Sequence, residues 1–182
     1  MKIRSVRFNV IMNFIYTVSS IIFPMITFPY VTRVLLVEGN GKVAAATSVI
    51  TYLTMIASLG IPTYGIRACA KVREDARRLS KTVQELLIIN TATTVVTYAV
   101  FLLLLFTVPQ FQEEQSLYAV MSINMLLNVV GVSWLYSALE QYAYITVRSL
   151  VFKILSIILM FLFVKEPADY VVYGGITVFA TS

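Results

Sequence analysis

Polar side chains recur at helical intervals inside otherwise apolar stretches of this chain. Asn13, Thr17, Ser20, Pro24 and Thr27 follow one another at spacings of 4, 3, 4 and 3, which puts them on one helix face. Ala44, Thr47, Thr51, Thr54 and Ser58 form a similar stripe. Shorter ones are Asn90, Thr94 and Thr97, and Asn124, Asn128 and Gly131. In hydrocarbon such groups need partners or a cavity. Their chemistry is hydrogen bonding. They either join helices through small and polar side chains or line a polar passage, and spacing alone serves both. Pro24 and Pro29 each remove a backbone bond from the first stretch and predict a kink there.

Other chemistry is missing. The chain has no histidine, the commonest general base and metal ligand, and its single cysteine, Cys69, forms no intramolecular disulfide. Zinc chemistry and Ser-His-Asp hydrolysis are excluded within these residues, and no cofactor is expected. No acidic residue lies near the centre of an apolar run; Glu85 and Glu140 lie at run ends. That argues against a coupling-ion site in these helices.

The elements that position the stripes are six apolar runs, at about 8–31, 43–62, 84–108, 116–136, 142–164 and 170–182. A bilayer core of about 30 Å needs around 20 helical residues. Hydrophobic residues make up 59% of the 182 and charged ones 13%, with a mean hydropathy of +0.84. A soluble domain carries about a quarter charged residues. The expected class is therefore an all-α integral membrane protein with about six transmembrane helices. The sixth run stops at Ser182, short of a crossing, so residues 1–182 read as the N-terminal bundle of something longer. The first run is too long for a signal peptide and lacks a cleavage site, so it reads as a retained helix. The net charge of +5 lies beside apolar spans and does not point to nucleic acid.

With the N-terminus in the cytoplasm, eleven bases lie on or near the inner side, and only Arg33, Lys42 and Lys165 lie outside. Lys153 falls with the inner group, entering the fifth helix. The outer segment Pro109–Gln115 carries Glu113 and Glu114 and no base, while Trp134 and Tyr136 suit an inner aromatic belt. The longest loop, Thr63–Lys81, is expected to be cytoplasmic. It is either a short amphipathic helix along the headgroups or a solvated basic loop.

Two strings are more specific than composition. One runs from Thr27 to Leu35 (Thr-Phe-Pro-Tyr-Val-Thr-Arg-Val-Leu) and is followed by Glu38-Gly39-Asn40-Gly41-Lys42. The other runs from Ser58 to Arg67 (Ser-Leu-Gly-Ile-Pro-Thr-Tyr-Gly-Ile-Arg) and leads into Lys71-Val72-Arg73-Glu74-Asp75. With Trp134-Leu135-Tyr136, Glu140 and Tyr144–Ser149, they resemble the bacterial polysaccharide flippases. These move O-antigen or capsule repeat units and belong to the multidrug/oligosaccharidyl-lipid/polysaccharide exporter superfamily. The family usually has Leu-Gly-Pro-Glu-Gly after the arginine, where this chain has Leu35-Leu36-Val37-Glu38-Gly39. Gly39 and Gly41 remain to allow positive φ in that turn.

The resemblance implies two six-helix bundles about a central cavity open alternately to each side, with this chain as the first bundle. The C-terminal bundle is absent from these residues. It implies a non-enzymatic flippase in the cytoplasmic (inner) membrane, working on undecaprenyl-pyrophosphate-linked sugar units. Membrane lipid and the missing half are its partners. Arginine forks suit a diphosphate, so the expected substrate-binding residues are Arg33, Arg67 and Arg148, with Asn13, Asn124 and Asn128 for the sugars and Lys153 as a further cation. Glu140 is expected to pair with Arg148 or Arg67. The alternatives are a cation-coupled drug or metabolite antiporter of the same superfamily, a membrane enzyme of the same pathway and a membrane scaffold.

Overall fold

A computed structural model describes residues 6–181, and every regular element among them is helical. Lys2 and Arg4 lie outside the described residues. The helices are α1 (Val6–Val34), α2 (Leu36–Ser58), α3 (Ile61–Val72), α4 (Ala76–Thr107), α5 (Pro109–Glu113), α6 (Gln115–Val130), α7 (Ser133–Ala138), α8 (Tyr142–Phe163) and α9 (Tyr170–Thr181). A 3-10 turn, Pro167–Asp169, precedes the last.

Among the described residues, five segments are long and apolar enough to cross a membrane: Arg7–Val34, Leu36–Val72, Ala76–Thr107, Gln115–Ala138 and Tyr142–Phe163. Their outward faces carry large apolar side chains such as Phe14, Met25, Ile88, Phe106 and Phe163. Such a surface is unstable in water and matched to hydrocarbon. The chain is a multi-pass membrane protein. α9 packs between α6 and α8 as a sixth, shorter helix.

The breaks between helices have local causes. Asp75 caps α4, its carboxylate accepting from the backbone N–H groups of Arg77 (3.0 Å) and Arg78 (3.1 Å). Those basic residues therefore lie in the first turn of α4 instead of in a loop, and the cap offsets their poor fit to a helix N-terminus. Leu59 and Gly60 both adopt left-handed backbone, which ends α2 and turns the chain into α3, where Pro62 fits the first turn. Pro109 stops α4.

The first outer turn differs from expectation. α1 and α2 are separated by Leu35 alone, and the left-handed residue is Leu36, at φ 57°. Gly39 and Gly41 are ordinary helical residues of α2 without positive φ. Gly39 serves packing instead: a methyl group there would meet Leu35 Cβ at 3.2 Å and the Pro167 carbonyl oxygen at 3.4 Å. Thr63–Lys81 is likewise mostly helix. α3 is amphipathic, as one expectation held, but it packs on α4 and α7 through buried Ile61, Gly65 and Cys69.

Three apolar clusters hold the bundle. The largest joins α2, α4, α6 and α9 through Ile50, Phe101, Leu117, Met121, Met125 and Val178. A second joins α1, α8 and α9 through Val31, Leu35, Met160, Val164 and Ile176. Hydroxyls cross between helices as well: Tyr30 Oη donates to the Val164 carbonyl at 2.8 Å and Thr93 Oγ1 to that of Ala57 at 2.6 Å. Lipid competes for apolar contact, so close packing and such bonds supply the cohesion.

Candidate functional site

The four polar stripes do not share one role. Asn90, Thr94 and Thr97 of α4 are buried inside the bundle, and Thr93 beside them bonds to α2. This stripe is helix packing. The stripes of α2 and α6 instead meet α9 along an open groove. Thr47 and Thr51 form one wall, Asn124 the second, and Thr177 and Thr181 the third, over a floor of Ile50, Met121 and Val178, enclosing about 120 Å³. Asn124 and Thr181 also line a second hollow of about 230 Å³, which runs on past Asn128, Gly131 and Ser133 to Trp134.

The groove's polar groups form short relays. Ser58 Oγ lies 3.3 Å from Asn128 Oδ1, and Thr181 Oγ1 lies 3.5 Å from Asn124 Oδ1. Arg148 Nη2 donates to Ser133 Oγ at 3.1 Å, and Ser133 donates to the Gly131 carbonyl at 3.0 Å. Two buried donors at this end have no acceptor among the described residues: Arg148 Nε and Trp134 Nε1. The six-membered ring of Trp134 lies against Gly65. The guanidinium also sits 5.9 Å from the Tyr144 ring, and that ring stacks on Tyr136 at 4.4 Å. A groove lined by hydroxyls and amides, with a guanidinium bonded to Ser133 at its end, can bind a ligand rich in hydroxyl and anionic oxygens.

Of the residues expected from sequence, Asn124, Asn128 and Arg148 come together along this groove, Arg148 through Ser133. Asn13 does not join them; it lies exposed on α1 with Thr17 and Ser20. Arg33 is exposed in the last turn of α1, and Arg67 is exposed on α3. Neither makes a side-chain hydrogen bond or ion pair among the described residues. Lys153 lies half-way along α8 and not at its inner entrance. Glu140 pairs with neither Arg148 nor Arg67. Its partner is Arg73, at 2.7 Å. Thr177, Thr181 and Ser133 were missed from sequence because single hydroxyls in apolar helices carry no marker until neighbouring helices are placed.

At the opposite end from Arg73, Lys42 bridges Glu38 (3.0 Å) and Glu114 (2.9 Å), and Tyr170 Oη donates to Glu114 at 2.7 Å. Burial raises the Glu114 carboxyl, but hydrogen bonds from Lys42 and Tyr170 outweigh it and hold it below the ordinary glutamate value. Asp169 is also lowered, by the backbone N–H groups of Lys165 and Glu166. No group of three or more His, Cys, Asp or Glu among the described residues is placed to hold a metal ion.

A family model described as polysaccharide biosynthesis protein matches residues 6–182. A protein of Shigella dysenteriae named "Putative O-antigen transporter" is 26% identical over 163 residues, covering 90% of this chain and 41% of that protein. One of the same name from Escherichia coli strain K12 is 22% identical over 172 residues, covering 94% and 41%. The chain thus spans about two-fifths of the length of the curated relatives it matches. No solved structure matches it.

Proposed function

This chain belongs to the polysaccharide biosynthesis protein family, and from that premise we propose that it forms one bundle of a polysaccharide exporter. The named function of its relatives, O-antigen transport, supports the reading. The substrate class we propose is a sugar repeat unit on a polyprenyl pyrophosphate, undecaprenyl pyrophosphate by resemblance. It is moved by alternating access between this bundle and a second one. The chain acts without catalysis in this reading.

The observation that carries it is the open groove between α2, α6 and α9. It exposes hydroxyl and amide groups between helices whose outward surfaces are largely apolar. A sugar crossing hydrocarbon needs such a lane of replacement hydrogen bonds. In the proposed mechanism Asn124 and Asn128 hold sugar hydroxyls. Arg148, whose Nη2 reaches Ser133 at the groove's end, holds a diphosphate oxygen near the basic end of the bundle. Arg33 and Arg67 meet the diphosphate at the two ends of the path, and Asn13 contributes from α1. The excess of bases on the α3 end supports a cytoplasmic position for that end and for the N-terminus, in an inner membrane.

The test is Asn124→Ala with Asn128→Ala in the chromosomal gene, scored by surface polysaccharide at matched membrane expression. A fall of about tenfold or more is expected if two sugar-binding amides are lost. Unchanged export would remove the groove from the mechanism.

A further inference from the structure

Lys153 is a cation at the middle of a span. α8 runs Tyr142–Phe163, so at about 1.5 Å per residue its ammonium stem starts roughly 16 Å from either end. A lysine side chain there reaches neither interface, so the usual snorkelling explanation fails. Ionisable groups at this depth are rare and mark functional sites by default.

The surroundings define what Lys153 can hold. Ser19 and Ser20 of α1 both donate their hydroxyl hydrogens to the Tyr16 carbonyl, at 2.7 and 2.9 Å. Their oxygens are thereby left to accept from Lys153 Nζ, at 3.0 and 2.9 Å. The ammonium lies 5.2 Å from the centre of the Tyr16 ring. Two of its three N–H bonds are used in this way. The third has no acceptor among the described residues, and no carboxylate there pairs with it. A cation fixed by neutral groups alone calls for an anion.

The same lysine stands at a border. On one side is an apolar cleft of about 350 Å³ between α1 and α8, walled by Phe14, Val18, Ile22, Ile26, Leu150 and Ile154. Phe14, Ile22, Ile26 and Ile154 are themselves exposed, so the cleft opens sideways out of the bundle. On the other side, Ser20 belongs to the exposed polar stripe of Asn13 and Thr17. Hydrocarbon fits one side of Lys153 and hydroxyl-rich matter the other. An amphiphile has that order of parts, with a phosphate at the junction.

We propose that the α1–α8 cleft is a binding slot for a single-chain lipid phosphate in transit. The chain lies along the cleft, the phosphate sits on Lys153, and the polar head lies over the Asn13–Ser20 stripe. Depth decides between two sources of the same chemistry. The headgroup of a resident phospholipid stays at the interface, whereas that of a lipid-linked cargo passes the midplane. The slot rests on the exporter reading for its cargo. It is separate from the groove of α2, α6 and α9.

The test is native mass spectrometry of the purified full chain titrated with a polyprenyl phosphate, the matching polyprenol, phosphatidylglycerol and sodium phosphate. Polyprenyl phosphate is expected to bind, and Lys153→Met to weaken it about tenfold or more while Lys153→Arg restores it. Polyprenol binding is expected to survive Lys153→Met and to fall with Ile22→Trp, which fills the cleft without touching charge. Wild-type affinity for polyprenyl phosphate in Lys153→Met would overturn the proposal, as would full affinity in Ile22→Trp. Sodium phosphate or phosphatidylglycerol binding as tightly as polyprenyl phosphate would overturn it too. The assay scores no transport. Loss of the exporter reading in the groove test, with Lys153-dependent binding intact, would leave the slot standing.

Discussion

Arg73 Nη1 lies 2.7 Å from Glu140 Oε1, tying the end of α3 to the break between α7 and α8 across 67 residues of sequence. Both side chains are about one-third exposed, at 35% and 38%. Glu140 itself adopts left-handed backbone, at φ 56°. The pair therefore pins a bend that the backbone alone disfavours.

A double-mutant cycle measures that tie. Arg73→Gln and Glu140→Gln are expected to couple by about 0.5–1 kcal/mol, the range for partly exposed ion pairs. Arg148→Gln is expected to be additive with Glu140→Gln, because Arg148 donates to Ser133 instead. Thermal unfolding in detergent reads both. Coupling of Glu140 to Arg148 and none to Arg73 would contradict this end of the structure.

Glu114 predicts a pH dependence. Its carboxyl lies below the ordinary glutamate value in the folded chain, burial notwithstanding, through Lys42 and Tyr170. A folded value below the unfolded one stabilises the chain above the unfolded value, about 4.3. That contribution is lost as pH falls through the folded value. The wild-type melting temperature should therefore drop more steeply below about pH 4.3 than that of Glu114→Gln, which carries no charge to lose. Parallel curves for the two proteins would dismiss the clamp.

How much of this was legible beforehand varies by element. α8 and α9 follow the apolar runs closely, since hydropathy changes sharply at Gln141, Lys165 and Asp169. The split of the fourth run at Gly131–Val132 was hidden, because apolar composition continues through it. The break at Leu35–Leu36 was hidden for the same reason, with two glycines nearby offering a false address. For the site, stripe spacing was readable but its direction was not. Asn90 and Asn124 belong to stripes of the same chemistry, and only neighbouring helices bury one and open the other. Lys153 was grouped with the bases of the inner end, although a helix over 142–164 already puts it at mid-length. Ion partners such as Arg73 and Glu140 carry no sequence signal at all, since any nearby base would satisfy the same glutamate.

The sole tryptophan can test the packing of α3 directly. A methyl group at Gly65 would stand 2.7 Å from Trp134 Cε3 and 3.1 Å from Cδ2 and Cζ3. The indole cannot yield, for it is 6% exposed and shares a cluster with Ile61, Cys69, Leu86 and Ala138. Gly65→Ala should thus cost about 1–3 kcal/mol, as overpacking does, and shift Trp134 fluorescence toward a more exposed ring. Gly41 supplies the control. It is also helical, and nothing lies within 4 Å of a methyl group there. Gly41→Ala should therefore leave the emission unchanged and stabilise α2 by about 0.5–1 kcal/mol through backbone entropy. Opposite signs in the two melting temperatures are expected. Equal effects at both sites would mean that Gly65 is chosen for flexibility and not for the indole pressed against it.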